Sequence, residues 1–252
     1  MTLVDTLWAD PRPYSPYAPL KRSRPAPSPR EEIPRIATQL DRVAETVPWG
    51  RVQDDAWDGL SRFIYKVRTA QGAREQAERV AAEHGLDRTA FVHYALRRWY
   101  CFWGARLAEL LFLEHRGVRP GPPRHHEIDF TIDDVPFDLK TTEVPRTFLG
   151  AVEQVAANPS LLASWLYDNQ SREGRYHTAN RLFLVLCDPD RPDEAWRLRG
   201  DVGALRRAIG RFMGRRNYVE LVLPDRYGIE RDVLTAVVPV LAVRPGRQLS
   251  LF

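Results

Sequence analysis

At 252 residues the chain can bury a substantial core, and one domain with an appendage is expected rather than two equal domains. Two cysteines exclude a disulfide framework, no apolar run is long enough to span a membrane, and the amino terminus lacks a signal-peptide pattern, so a cytoplasmic protein with buried free thiols at Cys101 and Cys187 is expected. The formal net charge of +4 suits a polyanionic partner without identifying one.

Residues 1–34 carry eight prolines, at 11, 13, 16, 19, 25, 27, 29 and 34, and are predicted to be extended and disordered. Lys21 to Arg24 reads as part of that linker rather than as a phosphate contact. From 35 to 87 the pattern is helical, with Leu60, Phe63, Ile64 and Val67 on one face and Ala77, Val80 and Ala81 on another. Gly85 divides this region from a long helix over 88–116 that Gly117 stops. Trp57, Trp99, Tyr100 and Trp103 are expected between helices, as core rather than as base-stacking platforms.

The stretch from His126 to Thr142 alternates polar and apolar residues on both sides of Asp133-Asp134, as two strands joined by a tight turn. Counting outward from a two-residue turn pairs Ile132 with Val135, Thr131 with Pro136, Phe130 with Phe137 and Asp129 with Asp138. Opposed residues lie roughly 5 Å apart, so two carboxylates there repel unless something cationic sits between them. Lys140, two residues past Asp138, shares its strand face. Two carboxylates and an ammonium converging on one point make a divalent-metal site suited to cleaving a phosphodiester. The competing explanation is a solvated Asp-Asp turn beside a chance Asp-x-Lys. Composition favours the first: the chain has only three lysines, Lys21, Lys66 and Lys140, among 37 basic residues. Lysine is thus kept where a compact ammonium is preferable to a planar fork. His125 and His126 point to opposite strand faces and have no cysteine nearby, which disfavours zinc. His126 is the one of the pair placed to face Asp129 or DNA, and His177 reads as a loop residue.

A helix is predicted over 159–173, and 181–187 reads as a strand buried on both faces. The helix over 201–214 carries the densest basic cluster: Arg206, Arg207, Arg211, Arg215 and Arg216. Arg207, Arg211 and Arg215 follow at four-residue spacing, either as a DNA-phosphate stripe or as a solvated face. Strands follow at 218–222 and 236–243, the second placed at a sheet edge because it contains Pro239.

The hairpin resembles the core of the PD-(D/E)xK nuclease superfamily, the restriction-endonuclease-like fold. Asp129 matches its first acid, Asp138 its second and Lys140 its lysine, while Ile128 stands where the motif often has proline. The resemblance covers roughly residues 88–188 and implies an α/β fold with an αβββαβ core. It also implies a helix-borne acid, best matched by Glu109 and next by Glu114. One or two Mg²⁺ ions, with Mn²⁺ able to substitute, would then be held by Asp129, Asp138 and the Leu139 carbonyl, with Glu109 as an outer or additional ligand. Lys140 would orient the attacking water or stabilise the transition-state oxyanion. The core with its elaboration is assigned to 88–243, and a homodimer would be expected for paired cuts.

Residues 244–252 form a Pro/Gly-punctuated tether followed by Gln248-Leu249-Ser250-Leu251-Phe252. This pentapeptide resembles the consensus by which bacterial proteins dock on the replicative sliding clamp. The simpler alternative is an apolar tail folded onto the core. Taken together, these features imply a clamp-tethered, metal-dependent DNA nuclease of replication or repair. The alternatives are a non-catalytic DNA-binding clamp adaptor and a restriction or defence endonuclease; a clamp peptide argues against the latter.

Overall fold

Ser28 opens the first described helix. A computed structural model of the chain describes residues 28–50, 54–122, 128–145, 148, 159–169, 178–225 and 227–242. Helix α1 spans Pro29–Ala44, with Pro at its first position. The Glu31 carboxylate accepts both the Ser28 backbone N–H at 3.0 Å and its hydroxyl at 3.1 Å. These are helix-start signals. They correct the expectation that the extended segment runs through residue 34: the helix already includes Pro29 and Pro34. Residues 1–27 lie outside the described residues.

Ile33, Ile36, Leu40 and Val43 form the buried stripe of α1, at helical spacing. Helices α2 (Asp55–Leu60), α3 (Ala70–Glu83) and α4 (Arg88–Phe112) follow, with a 3₁₀ turn at Arg62–Tyr65. The inward side of α3 is largely alanine, which lets it lie close to the bulky α4. Trp99 and Trp103 are core residues as expected, and neither indole N–H is orphaned: they donate to the Val67 carbonyl at 2.7 Å and the Ile64 carbonyl at 3.2 Å. Helix α4 ends at Phe112, four residues short of the predicted stop, and the chain then turns to Gly117 at φ +86°.

The strands are β1 (Val118–Pro120), β2 (Phe130–Ile132), β3 (Val135–Glu143), β4 (Arg181–Cys187), β5 (Val219–Pro224) and β6 (Glu230–Leu241), in sheet order β1-β2-β3-β4-β6-β5. Helix α5 (Pro159–Asn169) precedes β4, and α6 (Val202–Arg215) precedes β5. The sheet is mixed: β3, β4 and β6 run parallel, and the pairs β1–β2, β2–β3 and β5–β6 are antiparallel. Among the described residues the element order from α4 to β4 is therefore helix, three strands, helix, strand. The hairpin pairs Phe130 with Phe137, Thr131 with Pro136 and Ile132 with Val135, as counted. Asp133 and Asp134 both have positive φ, 48° and 70°, as a type I′ turn requires. Asp133 pairs with Arg216 and Asp134 with Arg119, so both turn charges are compensated. A Cβ on Gly117 would collide with the Asp133 carboxylate, and its φ disfavours any side chain. Gly117→Ala is expected to destabilise the protein by about 1–3 kcal/mol, seen as a lower urea midpoint.

Strand β6 is not at the sheet edge, because β5 lies outside it. The reason Pro239 is tolerated lies in the register. The Ala242 N–H donates to the Cys187 carbonyl, so even-numbered residues of β6 turn their N–H groups toward β4 and Pro239 turns its ring nitrogen away. On that side β5 pairs only as far as Thr235, leaving Pro239 with no ladder bond to break.

Helices α1, α3, α4 and α6 share one core with one face of the sheet, through Phe130, Phe137, Leu139, Leu182, Leu184, Val238 and Val240. Helix α5 covers the other face, over Phe183, Val185, Cys187, Val233 and Val237. Cys187 is buried, and burial pushes its thiol up to about 12. Cys101 departs from expectation: it lies on α4 and is only half-buried. Among the described residues no helix is long and apolar enough to cross a membrane.

Candidate active site

Strand β3 presents Phe137 and Leu139 to the α4 face, so Asp138 and Lys140 point to the α5 face. Asp138 is 4 % exposed, and its two carboxylate oxygens meet two different cations. Oδ1 pairs with Lys140 Nζ at 2.6 Å, and Oδ2 with Arg181 Nε at 3.1 Å. Asn180 ties this point of the sheet together. Its carbonyl accepts the Asp138 N–H, its amide donates to the Pro136 carbonyl at 3.2 Å, and its side-chain oxygen accepts the Leu234 N–H at 2.8 Å.

Asp129 reaches the same place by a different route from the one counted in the sequence. The regular ladder ends at Phe130, and the Asp129 N–H turns in to the Phe137 carbonyl at 2.9 Å, as in a β-bulge. A regular hairpin would have left that N–H pointing away from β3. The bulge aims Asp129 Oδ2 at the Leu139 N–H, 2.7 Å away. The two carboxylates still face one another. Burial, then the charge of Asp138, raises the Asp129 carboxyl above its ordinary range, against the opposing pull of the Leu139 N–H and Lys140. Gly121 holds the other side of the bulge: its N–H donates to the Asp129 carbonyl at 2.9 Å, and a Cβ there would strike the Ile128 carbonyl.

Glu109, on α4, comes close enough for the Asp129 charge to act on it. Burial is the main cause of its raised pKa, and the bond from Arg106 Nη1 at 2.7 Å partly offsets it. Glu114, past the end of α4, pairs with Arg206 at 3.0 and 3.1 Å, whereas Glu109 lies within reach of the Asp129 charge. Acids with a raised folded pKa add stability that is fully present below their unfolded values and is lost as pH rises through the raised ones. Glu109→Gln is therefore expected to raise the melting temperature at about pH 7–8 and to change it little near about pH 4. A melting series across that range checks the sign.

Among the described residues no three His, Cys, Asp or Glu side chains converge tightly enough to hold a metal ion. Asp129 feels the charge of Asp138, and Glu109 that of Asp129. The Leu139 N–H turns toward the β2 side of β3, just where β2 has ended, and its carbonyl turns the same way. Two carboxylates and a backbone carbonyl are hard oxygen donors, and Lys140 and Arg181 already bring positive charge to Asp138. This donor chemistry fits Mg²⁺ or Mn²⁺.

Arg207, Arg211 and Arg215 lie on the exposed side of α6. The buried side of α6 packs on the α4 face of the sheet, so these arginines are not brought together with Lys140. Gln248 to Phe252 lie outside the described residues, as do His125, His126, Glu127 and His177. Arg181 was missed from sequence because it opens an apolar run, although a lone charge at the head of a doubly buried strand requires a counter-ion.

No family model matches the chain, and neither the curated proteins nor the solved structures give a match.

Proposed function

We propose that the chain is a Mg²⁺-dependent DNA nuclease of the PD-(D/E)xK type, brought to replication or repair sites by its C-terminal sliding-clamp peptide. The observation that carries this reading is the bulge that sets Asp129 against Asp138 while Lys140 rests on Asp138. The succession of helix, three strands, helix and strand supports it as well. So does Glu109, which supplies an acid from the preceding helix.

Bound Mg²⁺, held by Asp129, Asp138 and the Leu139 carbonyl, would acidify a water and offset charge on the scissile phosphate. The rest falls to the chain. Asp129 is fixed by the Leu139 N–H through one oxygen. Glu109 adds negative potential behind it. Lys140 is 40 % exposed, so its ammonium can leave Asp138 and donate to a water or a phosphate oxygen. Lys140→Gln is therefore expected to lower cleavage by about 10²–10³-fold with DNA affinity nearly unchanged. Single-turnover cleavage beside a binding titration tests this, and an unaltered rate would remove Lys140 from the mechanism.

A second reading, the non-catalytic clamp adaptor, draws on the double ion pair of Asp138, which satisfies that carboxylate without any metal.

A further inference from the structure

Arg181 is a buried cation that the nuclease reading leaves without a role. Its side chain is 6 % exposed, and its Nε sits 3.1 Å from Asp138 Oδ2. The guanidinium lies over the Tyr167 ring, 5.5 Å from its centroid, and the Thr235 hydroxyl donates to the Arg181 carbonyl at 2.8 Å. Arg181 is therefore fixed from three directions. Lys140, on the other oxygen of the same carboxylate, is 40 % exposed and held at one point.

The two cations are not equivalent toward an incoming ion. A divalent cation can take Asp138 Oδ1 by displacing Lys140 into solvent. Taking Oδ2 would require expelling a guanidinium that has nowhere to go and would lose its stacking partner. A carboxylate that serves two ions commonly gives one oxygen to each. Asp138 has only one to give. We infer that Asp138 ligates a single divalent cation, with Arg181 fixed where a second would sit. Arg181 thus acts as a positioning residue: it orients Asp138 and supplies the permanent positive charge on the Oδ2 side.

This inference rests on the metal-site reading above, and stoichiometry separates the two. The full chain is titrated with Mn²⁺ at about pH 8, where carboxylates are ionised, and free Mn²⁺ is followed by electron paramagnetic resonance. The same titration on Asp138→Asn isolates the ions that depend on this carboxylate. One Mn²⁺ per chain lost in Asp138→Asn supports the inference. Two lost together overturn it and leave the nuclease reading intact, whereas no Asp138-dependent binding overturns both. Arg181→Gln supplies a second readout, with circular dichroism to check folding. Either a second Asp138-dependent ion or binding tightened by about tenfold is expected, because a like charge is removed beside the metal. Unchanged number and affinity in a folded variant would contradict the role given to Arg181. Arg181→Lys, which keeps the charge, is expected to stay at one ion. Asp138→Asn is checked for fold in the same way; if either variant does not fold, the count on the unmodified chain decides, one Mn²⁺ supporting the inference and two overturning it.

Discussion

Replacing Asp138 by Asn is expected to lower metal-dependent DNA cleavage by about a thousandfold or more, because a principal oxygen donor for the metal loses its charge. The same change leaves Lys140 and Arg181 without their shared counter-ion. Removing one partner of a buried pair costs about 3–5 kcal/mol, so a melting curve must accompany the assay. DNA affinity is expected to hold or rise, since a negative charge is removed beside the place where the proposed site would take a phosphate. A folded Asp138→Asn protein that cuts at the original rate would sink the assignment of this carboxylate. The distinction from a general structural role lies in that combination: cleavage lost, binding kept, fold present.

Deleting Gln248 to Phe252 is expected to abolish binding to the sliding clamp and to leave cleavage of naked DNA unchanged. Leu249, Leu251 and Phe252 can each contribute roughly 1.5–3 kcal/mol in an apolar groove before ordering costs. Such a peptide alone binds with roughly micromolar affinity. A tether to a DNA-binding body raises the effective affinity through local concentration. Surface plasmon resonance on immobilised clamp measures the loss directly. If the truncated chain unfolds instead, those side chains belong to the core and the clamp reading fails.

The parts of the fold legible in the sequence are those set by local rules. The hairpin register follows from alternation and a two-residue turn, and Phe130, Thr131 and Ile132 find their counted partners. The strand at 181–187 follows from an unbroken apolar run, and the helix read over 201–214 is α6 at Val202–Arg215. What the sequence concealed depends on tertiary competition. Val118–Pro120 is too short and too polar to signal a strand, and it exists because β2 offers it an edge. Pro239 signals an edge strand, yet β5 ends before reaching it, so an interior strand accommodates it. The bulge at Asp129 cannot be counted from alternation, since it is an interruption of that alternation. Likewise, the four-residue spacing of Arg207, Arg211 and Arg215 says they share a helix face but not which face of the sheet that helix covers. Arg181 shows the same limit at the site itself: its role is defined by a carboxylate 43 positions away.

The central claim is metal-dependent cleavage of DNA at Asp129, Asp138 and Lys140. Its most direct test incubates the full chain with labelled single-stranded, duplex, flapped, forked, mismatched and four-way DNAs. Mg²⁺ or Mn²⁺ is supplied against a chelator control, with and without the sliding clamp. The account predicts cutting of at least one of these DNAs that requires the metal and is stimulated by the clamp. Failure to cut any of them with either metal, alongside firm clamp binding, would contradict the nuclease and leave the adaptor.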